Sequence, residues 1–161
     1  MTEKALYAGT FDPITNGHLD IIKRAKLIFP NLTIAVANNQ NKNPLFTATE
    51  RVDLIKKTLA SNPELANIEV IDFNGLLVDL AKERNIKILI RGLRAVSDFE
   101  YEFQMSCMNS KLSPNIQTIF LPASENAHFI SSRFVKQIAS FHGDISDLVP
   151  NAILTELKNK Y

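Results

Sequence analysis

The sequence predicts an α/β fold with a doubly wound, five-stranded parallel sheet that is covered by helices on both faces. Short, almost continuously apolar runs alternate with amphipathic helical patterns, and the connections between them are short. The predicted strands cover Ala5–Ala8, Leu32–Ala37, Ile68–Phe73, Ile86–Ile90 and Ile116–Leu121. Connections of this kind are right-handed crossovers between parallel strands. Because the strands are parallel, their carboxyl ends lie at one edge of the sheet, where ligands bind.

Amphipathic patterns between and after these runs predict the helices. They lie near Gly17–Phe29, Ala48–Ala60, Leu76–Arg84, Asp98–Lys111 and Ser132–Phe141, and Pro150 opens a terminal one. Two helix starts carry the pattern of a capping box, a hydroxyl at the cap and a glutamate three residues later. These are Thr47 with Glu50 and Ser97 with Glu100.

Length and composition predict one soluble domain over residues 1–161, with 45% apolar and 22% charged residues. A net charge of +1 gives no support for broad nucleic-acid or anionic-membrane binding, so an anion site has to be local. Cys107 is the one cysteine, which excludes an internal disulfide. Without a long apolar run or a signal-peptide core, the expected location is cytoplasmic.

The run from Gly9 to His18 is the most informative segment, because it joins the first strand to the first helix. Gly17 and His18 are expected to open that helix, where unpaired N–H groups and the helix dipole favour a phosphate. Thr10 adds a hydroxyl and His18 a donor for an oxyanion. The alternative is an ordinary strand-to-helix turn with a surface histidine, but such a turn has no structural need for histidine there.

Cationic side chains follow other strands. Arg91-Gly92-Leu93-Arg94 offers two guanidinium groups beside a glycine that lets the backbone approach a ligand. Lys42 lies in an amide-rich loop after the second strand, where its ammonium could reach a phosphate. Alternatively, Arg91 and Arg94 form structural ion pairs, and Lys42 is a solvated lysine of a surface loop.

A third segment, Ala127–Arg133, places two serines at the start of a helix, where serine most often only caps. The sequence lacks the motifs of three other kinds of site. The sequence has no Walker pattern, no G-x-S-x-G nucleophile turn, and no paired cysteines or Cys–His cluster of a zinc site.

The Gly9–His18 run resembles the T/H-x-G-H signature of the nucleotidyltransferase superfamily, and Ile130-Ser131-Ser132 resembles its second signature. With the block from Arg91 to Glu102, the chain from Leu6 to Val149 resembles the bacterial phosphopantetheine adenylyltransferase family. The resemblance implies a Rossmann-like domain that reversibly transfers the adenylyl group of ATP to 4′-phosphopantetheine. The products are dephospho-coenzyme A and pyrophosphate, a late step of coenzyme A biosynthesis.

The resemblance also implies site residues. ATP is expected to contact Thr10, Phe11, His18, Gly92, Leu93, Arg94, Glu102, Ala127, His128, Phe129, Ile130, Ser131, Ser132 and Arg133. Phosphopantetheine is expected to contact Thr10, Lys42, Leu77 and Arg91. His18 is the expected transition-state stabiliser, and Thr10, Lys42 and Arg91 complete the catalytic group. The chain departs from the family pattern at Ala127, His128 and Arg133, where relatives carry an aromatic residue, a serine and a small hydroxyl residue.

Further expectations concern partners. Mg²⁺ is expected, held mainly by phosphates and water and not by protein side chains. The family resemblance implies a homohexamer and feedback inhibition by coenzyme A, with no nucleic-acid or membrane partner. Two alternatives remain open: a nicotinate-mononucleotide adenylyltransferase or cytidylyltransferase, which lack the Arg91–Glu102 block, and a nucleotide sensor that has lost turnover.

Overall fold

A computed structural model describes residues 3–39 and 43–161, and these form one five-stranded parallel sheet. Its strand order is β3-β2-β1-β4-β5, so the order reverses between β1 and β4. The strands are β1 Lys4–Gly9, β2 Asn31–Ala37, β3 Glu69–Phe73, β4 Ile88–Leu93 and β5 Gln117–Pro122. The doubly wound, Rossmann-like prediction is confirmed, and the β1–β4 reversal is where such sheets bind ligands.

Helices cover both faces of the sheet because residues of the central strand alternate between two cores. Ala5 and Tyr7 belong to the larger core, formed with α1, α2, α5 and α6, whereas Leu6 and Ala8 pack against α3. The helices are α1 Asn16–Ile28, α2 Ala48–Ala60, α3 Leu77–Glu83, α4 Val96–Leu112, α5 Ser132–Ser140 and α6 Asn151–Lys160. Among the described residues, no helix combines the length and apolarity needed to cross a membrane.

One of the two predicted capping boxes is confirmed and the other is wrong. Thr47 caps α2 by accepting from the Glu50 N–H, and the Glu50 carboxylate accepts from the Thr47 N–H in return. By contrast, α4 begins at Val96 after Ala95, which has no side-chain cap, so Ser97 lies inside the helix. The Asp98 carboxylate instead accepts from the backbone N–H of Arg94, which precedes the helix. The helix α4 therefore begins one residue before Ser97, and the predicted pair of Ser97 and Glu100 does not cap it.

The fourth strand extends three residues beyond its predicted end, which changes the position of Arg91. Arg91, Gly92 and Leu93 continue the parallel ladder with Phe120, Leu121 and Pro122 of β5. The prediction ended β4 where the apolar run ends, but backbone pairing continues past that point. Arg91 therefore lies within the sheet, and Arg94 is the first residue after the strand.

A buried arginine joins the carboxyl ends of the neighbouring strands β1 and β2 to the start of α2. Arg51 is only 1% exposed, and its Nη1 donates to the carbonyls of Thr10 at 2.7 Å and Ala37 at 2.9 Å. Its Nε donates to the Phe46 carbonyl at 3.0 Å. Burial lowers the pKa of Arg51, and the negative charge of Asp12 opposes that effect. These bonds satisfy carbonyls at points where the regular ladders end.

Replacing Arg51 with methionine removes this connection while keeping an unbranched side chain of similar length. Because the carbonyls of Thr10, Ala37 and Phe46 then lack this donor, we expect the free energy of unfolding to fall by about 3 kcal/mol or more. Urea denaturation measures the change. Lys56→Met, at an exposed position of the same helix, is the control and should stay within about 0.5 kcal/mol of wild type. Equal effects of the two variants would contradict a stabilising role for the buried guanidinium.

Candidate functional site

A cavity of about 710 Å³ opens at the carboxyl edge of the sheet, around the point where β1 and β4 separate. Its lining contains twelve of the residues selected from the sequence: Thr10, Phe11, His18, Arg91, Gly92, Leu93, Arg94, Glu102, Ile130, Ser131, Ser132 and Arg133. Three segments that are distant along the chain thus meet in one cavity. A space of this size suits a nucleotide-sized ligand.

His18 is held as a neutral hydrogen-bond donor. The backbone N–H of Thr15 donates to its Nδ1 at 3.0 Å, and the Thr15 hydroxyl lies 3.0 Å from the same atom. Because Nδ1 accepts from an obligatory donor, the proton of the neutral ring lies on Nε2. Burial, with the charges of Arg94 and Arg91, lowers the pKa of His18 to about 4. Near neutral pH, His18 therefore offers an N–H donor to the cavity.

The contact between Thr15 and His18 also corrects the predicted start of α1. The helix begins at Asn16, one residue before Gly17, and Thr15 is its cap. The Thr15 hydroxyl accepts from the backbone N–H of His18, while the His18 ring takes the place that glutamate holds in the usual capping box. The same bonds that cap the helix therefore orient the imidazole.

Arg91 and Glu102 form a two-point ion pair in the wall of the cavity. Arg91 Nε lies 2.7 Å from Glu102 Oε2, and Nη2 lies 2.6 Å from Oε1. Nη1 of Arg91 also donates to the carbonyl of Ala8 in β1. Burial acts to lower the pKa of Arg91, but the hydrogen bond and charge of Glu102 outweigh it, and the net shift is upward. Arg91 is thus a fixed cation.

Asp12 was not selected from the sequence, yet its buried carboxylate joins three parts of the site. Oδ2 accepts from the backbone N–H of Leu45 at 2.9 Å, and Oδ1 accepts from that of Phe46 at 2.9 Å. Lys136 of α5 places its ammonium 2.6 Å from Oδ2. Asp12 therefore ties the β1–α1 turn to the chain entering α2 and to α5.

The two superfamily-like signatures pack directly against each other. The Ser132 hydroxyl donates to the carbonyl of Pro13 at 2.7 Å. A Cβ at position 17 would lie 3.2 Å from the Ile130 carbonyl oxygen and 3.4 Å from that of Ala127, so only glycine fits there without displacement. Ser131 caps α5 through the Phe134 N–H, and it also lines the cavity. Capping and cavity formation are therefore combined in one serine.

Three of the expected nucleotide contacts, Ala127, His128 and Phe129, are not among the residues that line the larger cavity, and their contact with ATP stays a prediction. Ala127 is buried beneath α1, beside Gly17. The His128 ring approaches the carbonyl of Glu125 at 2.7 Å, and Phe129 is 58% exposed against the His128 ring. The turn that contains them brings only its last residue, Ile130, into the lining. Arg133, the other departure from the family pattern, does line the cavity.

A second, smaller cavity of about 250 Å³ adjoins the first, and Leu77 lines it together with Gly75, Leu76, Met105 and Asn109. Both cavities are lined by Ala8, Gly9, Thr10, Arg91, Tyr101 and Glu102. The shared wall therefore contains the Arg91–Glu102 ion pair. Lys42, which was expected beside this site, lies outside the described residues.

Sequence reasoning missed Asp12, Thr15 and Lys136, each for a recognisable reason. Asp12 and Thr15 lie inside the selected Gly9–His18 run, but their partners are set by tertiary contacts or by the precise cap geometry. Lys136 follows Ser132 by four residues and so lies on the same helix face, a signal that was available. Among residues 3–39 and 43–161, no group of three or more His, Cys, Asp or Glu side chains could hold a metal ion.

Comparisons with known proteins agree with this geometry. Residues 6–138 match the cytidylyltransferase-like family. The phosphopantetheine adenylyltransferase of Legionella pneumophila strain Lens is 49% identical over 160 residues, covering 99% of this chain and 92% of the relative. That of Alkaliphilus metalliredigens is 50% identical over 155 residues, covering 96% and 97%.

Among solved structures, a protein of Vibrio parahaemolyticus, provisionally named nicotinate-nucleotide adenylyltransferase, superposes with a TM-score of 0.74. The match covers 99% of this chain and 100% of that one, at 15% sequence identity. At that identity the match shows a shared fold.

Proposed function

The chain belongs to the cytidylyltransferase-like family and, within it, to the bacterial phosphopantetheine adenylyltransferases, and we propose that it catalyses their reaction. The adenylyl group of ATP passes reversibly to 4′-phosphopantetheine, which gives dephospho-coenzyme A and pyrophosphate. The observation that carries the proposal is a nucleotide-sized cavity that shares a wall, containing Thr10 and the Arg91–Glu102 ion pair, with a smaller, partly apolar one. This arrangement suits two substrates that meet at their phosphates.

The reaction is an in-line attack of the acceptor phosphate on the α-phosphorus of ATP, which expels pyrophosphate. The acceptor phosphate is largely dianionic near neutral pH, so it needs no strong general base. Catalysis then depends on positioning and on stabilising the charge of the pentacoordinate phosphorus. A neutral His18, whose Nδ1 already accepts a hydrogen bond, suits donation from Nε2 and is a poor proton acceptor.

Residue roles follow from position around the two cavities. Thr10 and Arg91 line both cavities, which supports contact with the acceptor phosphate, and Leu77 lies along the smaller cavity, where the pantetheine arm fits. Lys42 is proposed as a further acceptor contact by family resemblance alone. The nucleotide side consists of His18, Phe11, Gly92, Leu93, Arg94, Ile130, Ser131, Ser132 and Arg133, all of which line the larger cavity.

Mg²⁺ forms part of the proposal, as a neutraliser of ATP phosphate charge when bound. The larger cavity holds few carboxylates, and those of Asp12, Glu102 and Asp98 each accept from a cationic side chain. That donor set suits an ion coordinated mainly by phosphate oxygens and water, since Mg²⁺ keeps several waters in protein sites. The cations that line the cavity bind phosphate oxygens directly in this arrangement.

We also propose the homohexamer of the family, and the surface of α4 supports self-association. No residue of this 17-residue helix is buried, and its exposed apolar side chains are Val96, Phe99, Tyr101, Phe103, Met105, Met108 and Leu112. Monomers rarely expose an apolar surface of that extent. Analytical ultracentrifugation tests this, and a stable monomer at micromolar concentration would contradict it. A cytoplasmic location and inhibition by coenzyme A, which shares the pantetheine arm, complete the proposal.

Turnover with purified protein decides the function. Pyrophosphate release is measured with ATP, Mg²⁺ and 4′-phosphopantetheine, and then with nicotinate mononucleotide as the acceptor. We expect pyrophosphate release with 4′-phosphopantetheine as the acceptor and none with nicotinate mononucleotide. Turnover with nicotinate mononucleotide would favour the related adenylyltransferase, and tight ATP binding without turnover on any acceptor would favour a nucleotide sensor.

Removal of the His18 donor should slow the chemical step while leaving binding nearly intact. An interaction that strengthens in the transition state lowers kcat when it is lost. By analogy with oxyanion-hole donors, we expect His18→Ala to lower kcat by about 10²–10³-fold, with a modest change in the ATP dissociation constant. His18→Gln keeps a donor and should retain part of the activity. A His18→Ala enzyme that is slow only because ATP no longer binds would assign His18 to ground-state binding.

A further inference from the structure

We propose that Glu102 is a positioning residue for the acceptor half of the site, holding the Arg91 guanidinium toward the acceptor phosphate. The inference rests on the proposed function and deepens it. It differs from the expectation by family resemblance, which places Glu102 among the ATP contacts. Three observations support it: the bonding of the carboxylate, the donors left on Arg91, and the place of the pair between the cavities.

The carboxylate of Glu102 is already committed to Arg91. Each of its two oxygens accepts from a different guanidinium nitrogen, at 2.7 Å and 2.6 Å. The Glu102 side chain is 13% exposed, against 28% for Arg91, so the carboxylate is the more enclosed member of the pair. A two-point ion pair of this kind fixes the plane of the guanidinium as well as its position.

Arg91 retains two N–H donors for a ligand. A guanidinium has five N–H groups, and Glu102 and the Ala8 carbonyl occupy three of them. One N–H on Nη1 and one on Nη2 have no partner among the described residues. Because Nε, Nη1 and Nη2 each donate one hydrogen bond to the protein, the plane of the guanidinium is fixed, and so are the directions of its two remaining N–H groups. A phosphate oxygen can therefore bind Arg91 without displacing Glu102.

The pair lies where the substrates would have to meet. Arg91 and Glu102 line both cavities, and so does Thr10, at the end of β1. Arg91 comes from β4, beside the central strand β1, and Glu102 comes from the second turn of α4, which packs beside β4. An error of about 1 Å in the position of a phosphate at such a junction costs about a hundredfold in rate.

Loss of the Glu102 carboxylate is expected to affect substrate binding and kcat differently, which distinguishes a positioning role from direct contact with ATP. The negative charge of Glu102 weakens attraction between Arg91 and a phosphate dianion, so its loss does not weaken phosphate binding. Its loss does release the guanidinium from its orientation. A positioning role thus predicts a fall in kcat without a rise in the KM of either substrate.

The test measures kcat and both KM values for Glu102→Gln in the full-length enzyme. We expect kcat to fall about tenfold or more, the KM for 4′-phosphopantetheine to stay the same or fall, and the KM for ATP to stay the same. Glu102→Asp keeps the charge but is one methylene shorter. It should also lower kcat, without lowering the KM for 4′-phosphopantetheine. Glu100→Gln, at an exposed position of the same helix, is the matched control and should match wild type.

A double-mutant cycle with Arg91→Ala separates action through Arg91 from direct contact with ATP. In the Arg91→Ala background, the Glu102→Gln change should have no further effect on kcat. A several-fold rise in the KM for ATP in either background, or an unchanged kcat in the single variant, would overturn the inference. If Glu102→Gln does not fold, as judged by thermal unfolding, Glu102→Asp takes its place in the cycle. Failure of the proposed function is distinguishable, because wild-type enzyme would then show no turnover with 4′-phosphopantetheine.

Discussion

The geometry of the site depends on a pair of buried, oppositely charged side chains beneath the β1–α1 turn. Arg51 binds the carbonyls of Thr10 and Phe46, and Asp12 binds the N–H groups of Leu45 and Phe46. Phe46 is thus held through both of its backbone polar groups. Burying either charge is costly unless it is hydrogen-bonded, so each group favours the backbone position that supplies its partners. Both carboxylate oxygens of Asp12 and the Nε and Nη1 atoms of Arg51 are bonded, whereas Nη2 of Arg51 is buried without a partner among the described residues. The chain entering α2 is thereby fixed against the first signature.

A second set of contacts connects that turn to the start of α5. Lys136 reaches Asp12 from α5, and Ser132 donates to the Pro13 carbonyl from the start of the same helix. Gly17 allows α1 to approach the turn before α5 because it has no Cβ. The two signatures, more than a hundred residues apart, therefore form one continuous wall of the larger cavity. Donors that are already held in place by such contacts stabilise developing charge without a cost of reorganisation.

Burial is the main reason why His18 is neutral, and the nearby arginines add to it. Burial lowers the pKa of His18, and the positive charges of Arg94 and Arg91 lower it further, so the positive charge beside His18 comes from guanidinium groups. Two of these cations are balanced by neighbouring carboxylates, Arg91 by Glu102 and Arg94 by Asp98.

The sequence by itself determined the fold class, the strand and helix order, and twelve of the residues that line the larger cavity. Apolar runs and helical periodicity are local, and the polar groups of a parallel sheet collect at the carboxyl ends of its strands. Only tertiary structure decided that β4 continues through Arg91, that Ala127, His128 and Phe129 lie outside the cavity, and that Asp12 meets Leu45 and Lys136. Those features depend on pairing and contacts between segments far apart along the chain, which no local pattern encodes.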